Sequence, residues 1–310
     1  MTPKDWLRAI CVIFIWGINF VVIKIGVTDL PPFLLAALRF TLIALPAIFF
    51  VKPPKTKLSL LFFYGMTISF GQFALLFLAM RLGMPAGIAS LVVQTQAFFT
   101  AILGVFLGEK LRTYPVAGFI VAGMGMFLVG TGSGTTLAGA PGITLLTMML
   151  TLLAALCWGL GNIANKLIMQ DKRGAVNGLS LVVWSAVIPI IPFYVCSFIF
   201  DGPAAIASSL HHFHISTFFV LVYLAFISSF IGFVFWSDLL SRYESWRVAP
   251  LTLIVPVIGM ISSAIIFHEK MTHQQMVGAM VVLFGLLINI FGKRLLSLFF
   301  PIALPRKNKR

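Results

Sequence analysis

Charged side chains are scarce in this 310-residue sequence, making up 10% of it, and acidic ones are scarcer still, with eight Asp and Glu against 22 Lys and Arg. A soluble globular chain carries about 25% charged residues, so this composition excludes one. Cysteine is rare as well. Cys11, Cys157 and Cys196 are dispersed without paired metal-ligand spacing and read as three small buried hydrophobes. The parts of an enzyme are missing: there is no Ser-His-Asp set, no metal-spaced His cluster and no phosphate loop. The HHFH stretch at His211, His212 and His214 resembles a weak metal site at best. The chain is therefore expected to be no enzyme, to have no catalytic residues and to need no metal or cofactor. Without an ATP-binding signature, a primary pump is set aside too.

What fills the sequence is apolar. Hydrophobic residues make up 60% of it, and the mean hydropathy is +1.06. A helix needs roughly 20 apolar residues to cross the hydrocarbon core. Ten such runs are present, near 7–27, 32–51, 58–80, 85–107, 114–131, 143–168, 177–199, 214–240, 247–267 and 273–292. A membrane barrel would need short alternating segments, and these runs are continuous. The fold class expected is all-α integral membrane, with ten transmembrane helices. The first run follows two basic residues but lacks a small-residue cleavage site and carries Asn19 and Lys24, so it reads as a retained span.

The net charge of +14 is an orientation signal rather than a nucleic-acid footprint, and no nucleic-acid partner is expected. With the N-terminus in the cytoplasm, Lys4, Arg8, Lys52, Lys55, Lys57, Lys110, Arg112, Lys172, Arg173, Arg242, Arg247, Lys293, Arg294 and the tail all fall inside. Only Arg81 and Lys270 then fall outside. Both termini are expected to be cytoplasmic.

An internal repeat organises the chain. WGINFVVIK from Trp16 to Lys24 is echoed by WGLGNIANK from Trp158 to Lys166. GEKL at Gly108–Leu111 matches HEKM at His268–Met271, and Gly118 and Gly125 recur at Gly278 and Gly285. The expected division is 1–131 and 143–294 as two five-helix repeats, a glycine-rich linker at 132–142 and a basic tail at 295–310. An odd number of crossings per half turns the second copy over, so the repeats are inverted, an arrangement suited to alternating access.

Trp-Gly in the first and sixth helices, LRF at Leu38–Phe40, the GMPAGIASLVVQTQAFF run from Gly83 and RYESWRVAPLTLIVPVIG from Arg242 resemble the EamA family of the drug/metabolite transporter superfamily. The similarity is greatest to its exporters of O-acetylserine and cysteine. The resemblance implies ten helices, a bacterial inner-membrane location and outward movement of small amino-acid derivatives. The partners implied are the lipid bilayer and a small-molecule substrate, with the chain a monomer or weak homodimer. A passive channel and an importer are the rival readings on the same fold.

Such a site must replace the hydration of an ammonium and a carboxylate, and polar side chains inside spans are the candidates. Asn19, Gln72, Gln94, Gln96, Asn162 and Trp236 are read as lining a cavity, Gln94 and Gln96 just after the Pro85 break; helix-to-helix hydrogen bonding is the alternative. Trp16 and Trp158 close a cavity, stack on an ammonium, or simply pack. Arg39 cannot shed its proton; it anchors a substrate carboxylate or bonds backbone carbonyls freed near Pro46. Asn289 reads as structural. Asp238 is the one acidic residue expected within a span. Lys24 with Glu269, and Lys166 with Glu109, are read as alternating gates on opposite faces, or else as snorkelling and capping charges. Because the three thiols lack any partner, replacing Cys11, Cys157 and Cys196 together by Ala is expected to leave insertion and transport intact. Complete loss of transport at normal expression would place a thiol against the substrate.

Overall fold

The computed structural model describes residues 1–84, 86–109, 113–131, 144–171, 176–267 and 272–299, and every regular element among them is helical. Pro85, Lys110, Leu111, Arg112, Lys172, Arg173, the HEKM stretch with Glu269, Lys270, the expected linker 132–142 and the tail from residue 300 lie outside the described residues.

The longer helical runs are α1 Pro3–Asp29, α2 Pro32–Ile48, α3 Leu58–Arg81, α4 in two pieces (Ala86–Val93 and Gln96–Phe106), α5 Thr113–Thr131, α6 Leu145–Met169, α7 Gly178–Asp201, α8 Ile215–Arg242, α9 in two pieces (Ala249–Ile254 and Val255–Phe267), and α10 His273–Phe299, with short helices at Pro203–His211 and Ser245–Val248. Seven of them, α1, α3, α4, α6, α7, α8 and α9, are long and apolar enough to cross a membrane, and the apolar stretches of α2, α5 and α10 are shorter. Large apolar side chains face outward, Phe50 and Phe106 being 88% and 82% exposed, as lipid-facing positions require.

Capping moves the helix ends beyond the hydrophobic runs. Thr2 accepts from the Asp5 amide at 3.3 Å and Pro3 occupies the first turn, so α1 begins at Pro3 rather than near residue 7. It ends before Leu30, held extended by the prolines that follow. Thr144 and Thr147 form a reciprocal capping box that starts α6. Gly202 adopts φ +84°, which turns the chain out of α7 into a short helix, Pro203–His211, between the expected runs 177–199 and 214–240. The last helix reaches Phe299 rather than stopping at 292.

The runs are also less regular than continuous hydropathy implies. Residues Gly65–Gly71 of α3, Ser197–Asp201 of α7 and Tyr223–Ile231 of α8 are π-helical, and α9 opens as a 3₁₀ turn at Ala249–Ile254. α4 breaks at Gln94–Thr95, where the amides bond three residues back to Leu91 and Val92. π and 3₁₀ stretches rotate the side chains after them and concentrate at functional sites.

In the packing, α1 lies against α8 and α9, α6 against α3 and α4, α2 against α7, and α5 against α10. The α5–α10 seam depends on glycine. A Cβ at Gly125 would lie 2.5 Å from the Val282 amide nitrogen and 2.7 Å from the Gly278 oxygen; one at Gly285 would lie 2.5 Å from Ala122 N and 2.7 Å from Gly118 O. Backbone cannot yield as a side chain can, so any larger residue separates the helices. Gly125→Leu and Gly285→Leu are each expected to cost more than the ~1–3 kcal/mol typical of overpacking. Gly123→Ala, whose Cβ would meet only Phe98 at 3.9 Å, should be neutral. Melting temperatures in detergent check this, and equal melting of all three variants would contradict the seam.

Candidate functional site

The site is built on Trp16 of α1. Gly232 of α8 makes room for it, since a Cβ there would lie 2.6 Å from the indole nitrogen. That nitrogen donates to the Ser228 carbonyl at 3.1 Å. Around Trp16 stand Trp158 of α6 with ring centroids 5.2 Å apart, Trp236 at 5.3 Å and Phe233 at 5.4 Å. Each such pair adds about 0.5–1.5 kcal/mol beyond burial of area. Three helices are thereby fixed on one ring system.

From Trp236 a polar chain runs through the core. Its Nε1 donates to Asn162 Oδ1 at 2.8 Å, and Asn162 Nδ2 donates to Gln96 Oε1 at 2.8 Å and Thr100 Oγ1 at 3.0 Å. Gln96 Nε2 donates to Thr252 Oγ1 at 2.7 Å. Asn162, Gln96, Thr100 and Thr252 are all fully buried. The chain therefore joins α8, α6, α4 and α9, and it uses two of the local irregularities: Gln96 follows the break in α4, and Thr252 lies in the 3₁₀ turn of α9. Of the residues singled out in the sequence, Trp16, Trp158, Trp236, Asn162 and Gln96 are brought together.

Arg39 joins the same cluster from α2. It is 1% exposed; its Nε donates to Ser229 Oγ at 2.6 Å and its Nη2 to Ser228 Oγ at 3.4 Å. The guanidinium carbon lies 4.3 Å from the centre of the Phe73 ring and 5.7 Å from that of Phe40. The π stretch of α8 presents both hydroxyls, with Ser229 Oγ donating five residues back to Leu224 O at 2.8 Å. Its described hydrogen bonds thus go to hydroxyls, not to carbonyls near Pro46, and among the described residues Nη1 has no acceptor.

Asn19, Gln72 and Gln94 are also buried, at 7%, 3% and 0% exposure, but they stand apart from that hydrogen-bonded chain. Among the described residues, Asn19 Oδ1, Gln72 Oε1, both polar atoms of Gln94 and the Trp158 indole nitrogen find no partner. A buried polar atom left unpaired costs about 1–3 kcal/mol, a burden that a bound polar ligand or water removes.

The ends of the bundle carry the charges. At the end where α1 begins, Lys166 of α6 pairs with Glu109 Oε1 beyond α4, both side chains being 9% exposed. Ser245 Oγ donates to the same oxygen at 3.0 Å. Nearby Asp5, 1% exposed, accepts from Arg8 at 3.2 Å, Arg242 at 2.9 Å and the Tyr243 hydroxyl at 2.7 Å. Arg8 and Arg242 also hold Asp238. At the other end Arg81 pairs with the buried Asp201. Asp238 is thus not the one acidic residue within a helical run: Asp5 and Asp29 lie in the two ends of α1 and Asp201 closes α7, because both helices extend past their apolar stretches. Lys24 is partly buried near the far end of α1, and Glu269 lies outside the described residues, as does the side chain of Asn289. The three cysteines are half-buried rather than buried.

The hydroxyls of Thr100, Thr252, Ser228, Ser229 and Ser245 were missed in the sequence. Thr100 had a signal, since it lies four residues after Gln96 and hence on the same helical face. The others come from distant segments, and nothing local marks them.

Comparison with known proteins places the chain. A protein of Escherichia coli (strain K12) named probable amino-acid metabolite efflux pump is 50% identical over 296 residues, spanning 95% of this chain and 97% of that protein. A protein of the same name from Salmonella typhimurium (strain LT2) matches to the same degree. A solved crystal structure at 19% identity superposes with a TM-score of 0.73 over 96% of this chain and 100% of that one, which shows a shared fold. The profile of the EamA-like transporter family matches residues 6–131 and 145–291. With most of its length matched in this way, the chain is a multi-pass membrane transporter that belongs to the EamA-like transporter family.

Proposed function

We propose that this chain exports small zwitterionic amino-acid metabolites, cysteine and O-acetylserine among them, across a bacterial inner membrane by alternating access. The observation that carries the substrate chemistry is Arg39, a guanidinium that stays charged, buried among helices, held by two hydroxyls and two rings, with Nη1 unpaired. A substrate carboxylate completes it, and an uncompensated buried cation is a strong reason to bind one. The unpaired oxygens of Asn19, Gln72 and Gln94 accept from the substrate ammonium, and Trp158 Nε1 supplies a donor. The relatives named amino-acid metabolite efflux pumps agree with this chemistry.

In this reading the ten helical runs form two inverted five-helix repeats, 1–131 and 143–294, joined by the linker 132–142 and followed by a basic tail at 295–310. Both termini are cytoplasmic, as the positive-inside bias directs. Support comes from matched irregularities. The third run of each half holds a π stretch, the fourth a break or 3₁₀ turn, and the reciprocal glycine contacts of α5 and α10 relate the fifth runs. Lys166 and Glu109 seal the cytoplasmic end in the outward-open state, and Lys24 with Glu269 seals the outer end in the other.

Two experiments test the proposal. Inside-out vesicles containing the purified protein are expected to take up labelled cysteine and O-acetylserine against a gradient. Arg39→Met and Asn162→Leu should each reduce that rate at least tenfold with normal insertion. Asn162→Leu also removes three hydrogen bonds, worth roughly 2 kcal/mol of stability at about 0.6 each in a membrane. Normal transport by both Asn162→Leu and Gln94→Leu would make these amides helix contacts only, and equilibration without accumulation would make the chain a facilitator.

The gate is tested at Lys166 and Glu109, which pair among the described residues. Removing one partner of a buried pair costs about 3–5 kcal/mol, and every 1.4 kcal/mol is tenfold in population. Lys166→Glu and Glu109→Lys should each abolish accumulation, and the double exchange should restore a substantial part of it. Failure of rescue with both proteins inserted would mean that the pair does not gate.

A further inference from the structure

At the end of the bundle opposite the N-terminus, the chain leaves α1, turns through Pro31 and Pro32, and borders a cleft of about 440 Å³. Its walls include Asp29, Phe77, Met80, Arg81, Asp201 and Ala205. The volume lies within the roughly 300–1,000 Å³ usual for small-molecule sites. Among the described residues that line it are two carboxylates, Asp29 and Asp201, and one guanidinium, Arg81. Arg81 pairs with Asp201 Oδ1, yet the Asp201 side chain is 0% exposed and its Oδ2 has no hydrogen-bond partner among the described residues. Asp29 is held in place by Thr217 Oγ1 at 2.8 Å and Thr28 Oγ1 at 3.3 Å.

A buried carboxylate oxygen without a donor is costly. Any donor relieves it, and beside two carboxylates a cationic donor small enough to enter next to Arg81 is favoured; a primary ammonium offers three N–H groups for the purpose. Phe77 and Met80 supply an apolar wall for a short carbon chain. We propose that this cleft is a second binding station, which takes the ammonium end of a small amino acid or amino ester on Asp201 Oδ2, with Asp29 adding charge. The proposal rests on the export reading above, in which this end faces outward and the cleft holds substrate on its way out. It makes recognition stepwise: the carboxylate is read at Arg39 in the core, and the ammonium at Asp201 near the exit.

The test uses alanine methyl ester, which carries the ammonium but no carboxylate for Arg39. With the three native cysteines changed to Ala, Ala205→Cys places a thiol on the exposed wall of the cleft. Intact cells are then treated with a membrane-impermeant maleimide. Saturating ester is expected to slow labelling at position 205 at least threefold. Asp201→Asn should remove that protection without changing the rate in the absence of ester, and Asp201→Glu should keep it. Rates equal with and without ester, protection that survives Asp201→Asn, equal protection by sodium chloride, or no labelling from outside would each overturn the proposal. Vesicle accumulation without protection sinks the cleft and spares the export reading; protection without accumulation does the reverse.

Discussion

Arg39 sets the terms for the interior. A guanidinium remains charged at any physiological pH, and at 1% exposure it has no water to face. The surrounding structure answers it with two hydroxyls and two aromatic faces. The hydroxyls belong to adjacent residues, Ser228 and Ser229, which the π stretch of α8 presents together. The Ser228 carbonyl in turn holds Trp16, and Trp16 packs on Trp158 and Trp236. A single buried charge is thus connected, bond by bond, to the α1, α6 and α8 contacts that define the core.

The same rule explains where the helices deviate from regularity. In hydrocarbon each polar backbone group must be satisfied within the protein, so a break is tolerated only where other groups compensate. The break in α4 and the 3₁₀ turn of α9 meet at the Gln96–Thr252 bond. Both therefore lie inside the bundle, next to Asn162 and Trp236. The α5–α10 seam solves a different problem, since apolar surface gives no advantage against lipid tails and only close backbone approach holds two such helices together. Glycine at 125 and 285 permits that approach.

Charged contacts tie the helices together at the end of the bundle where α1 begins. Lys166, Glu109 and Ser245 tie α6 and α4 to the segment entering α9, while Asp5, Arg8, Asp238 and Arg242 tie the start of α1 to the end of α8. Asp5 contributes more to this end of the bundle than its position outside the first apolar run implied. A hydropathy window ends at the first charges, whereas the helix ends where its cap places it.

The sequence by itself determined the all-helical membrane class, because the cost of placing charge in hydrocarbon is paid residue by residue and leaves apolar runs anyone can count, and its motifs carried the resemblance to the family. Trp16, Arg39, Gln96, Asn162 and Trp236 were legible for the same reason, being polar or amphipathic groups in places where such groups are expensive. Only the tertiary structure decided which of them meet. Ser228, Ser229, Thr100 and Thr252 are ordinary helix residues until the packing of distant segments and two local changes of helical pitch bring their hydroxyls to Arg39, Asn162 and Gln96. Local sequence sets the energy of burying a group, but its partner is chosen by which helices lie side by side.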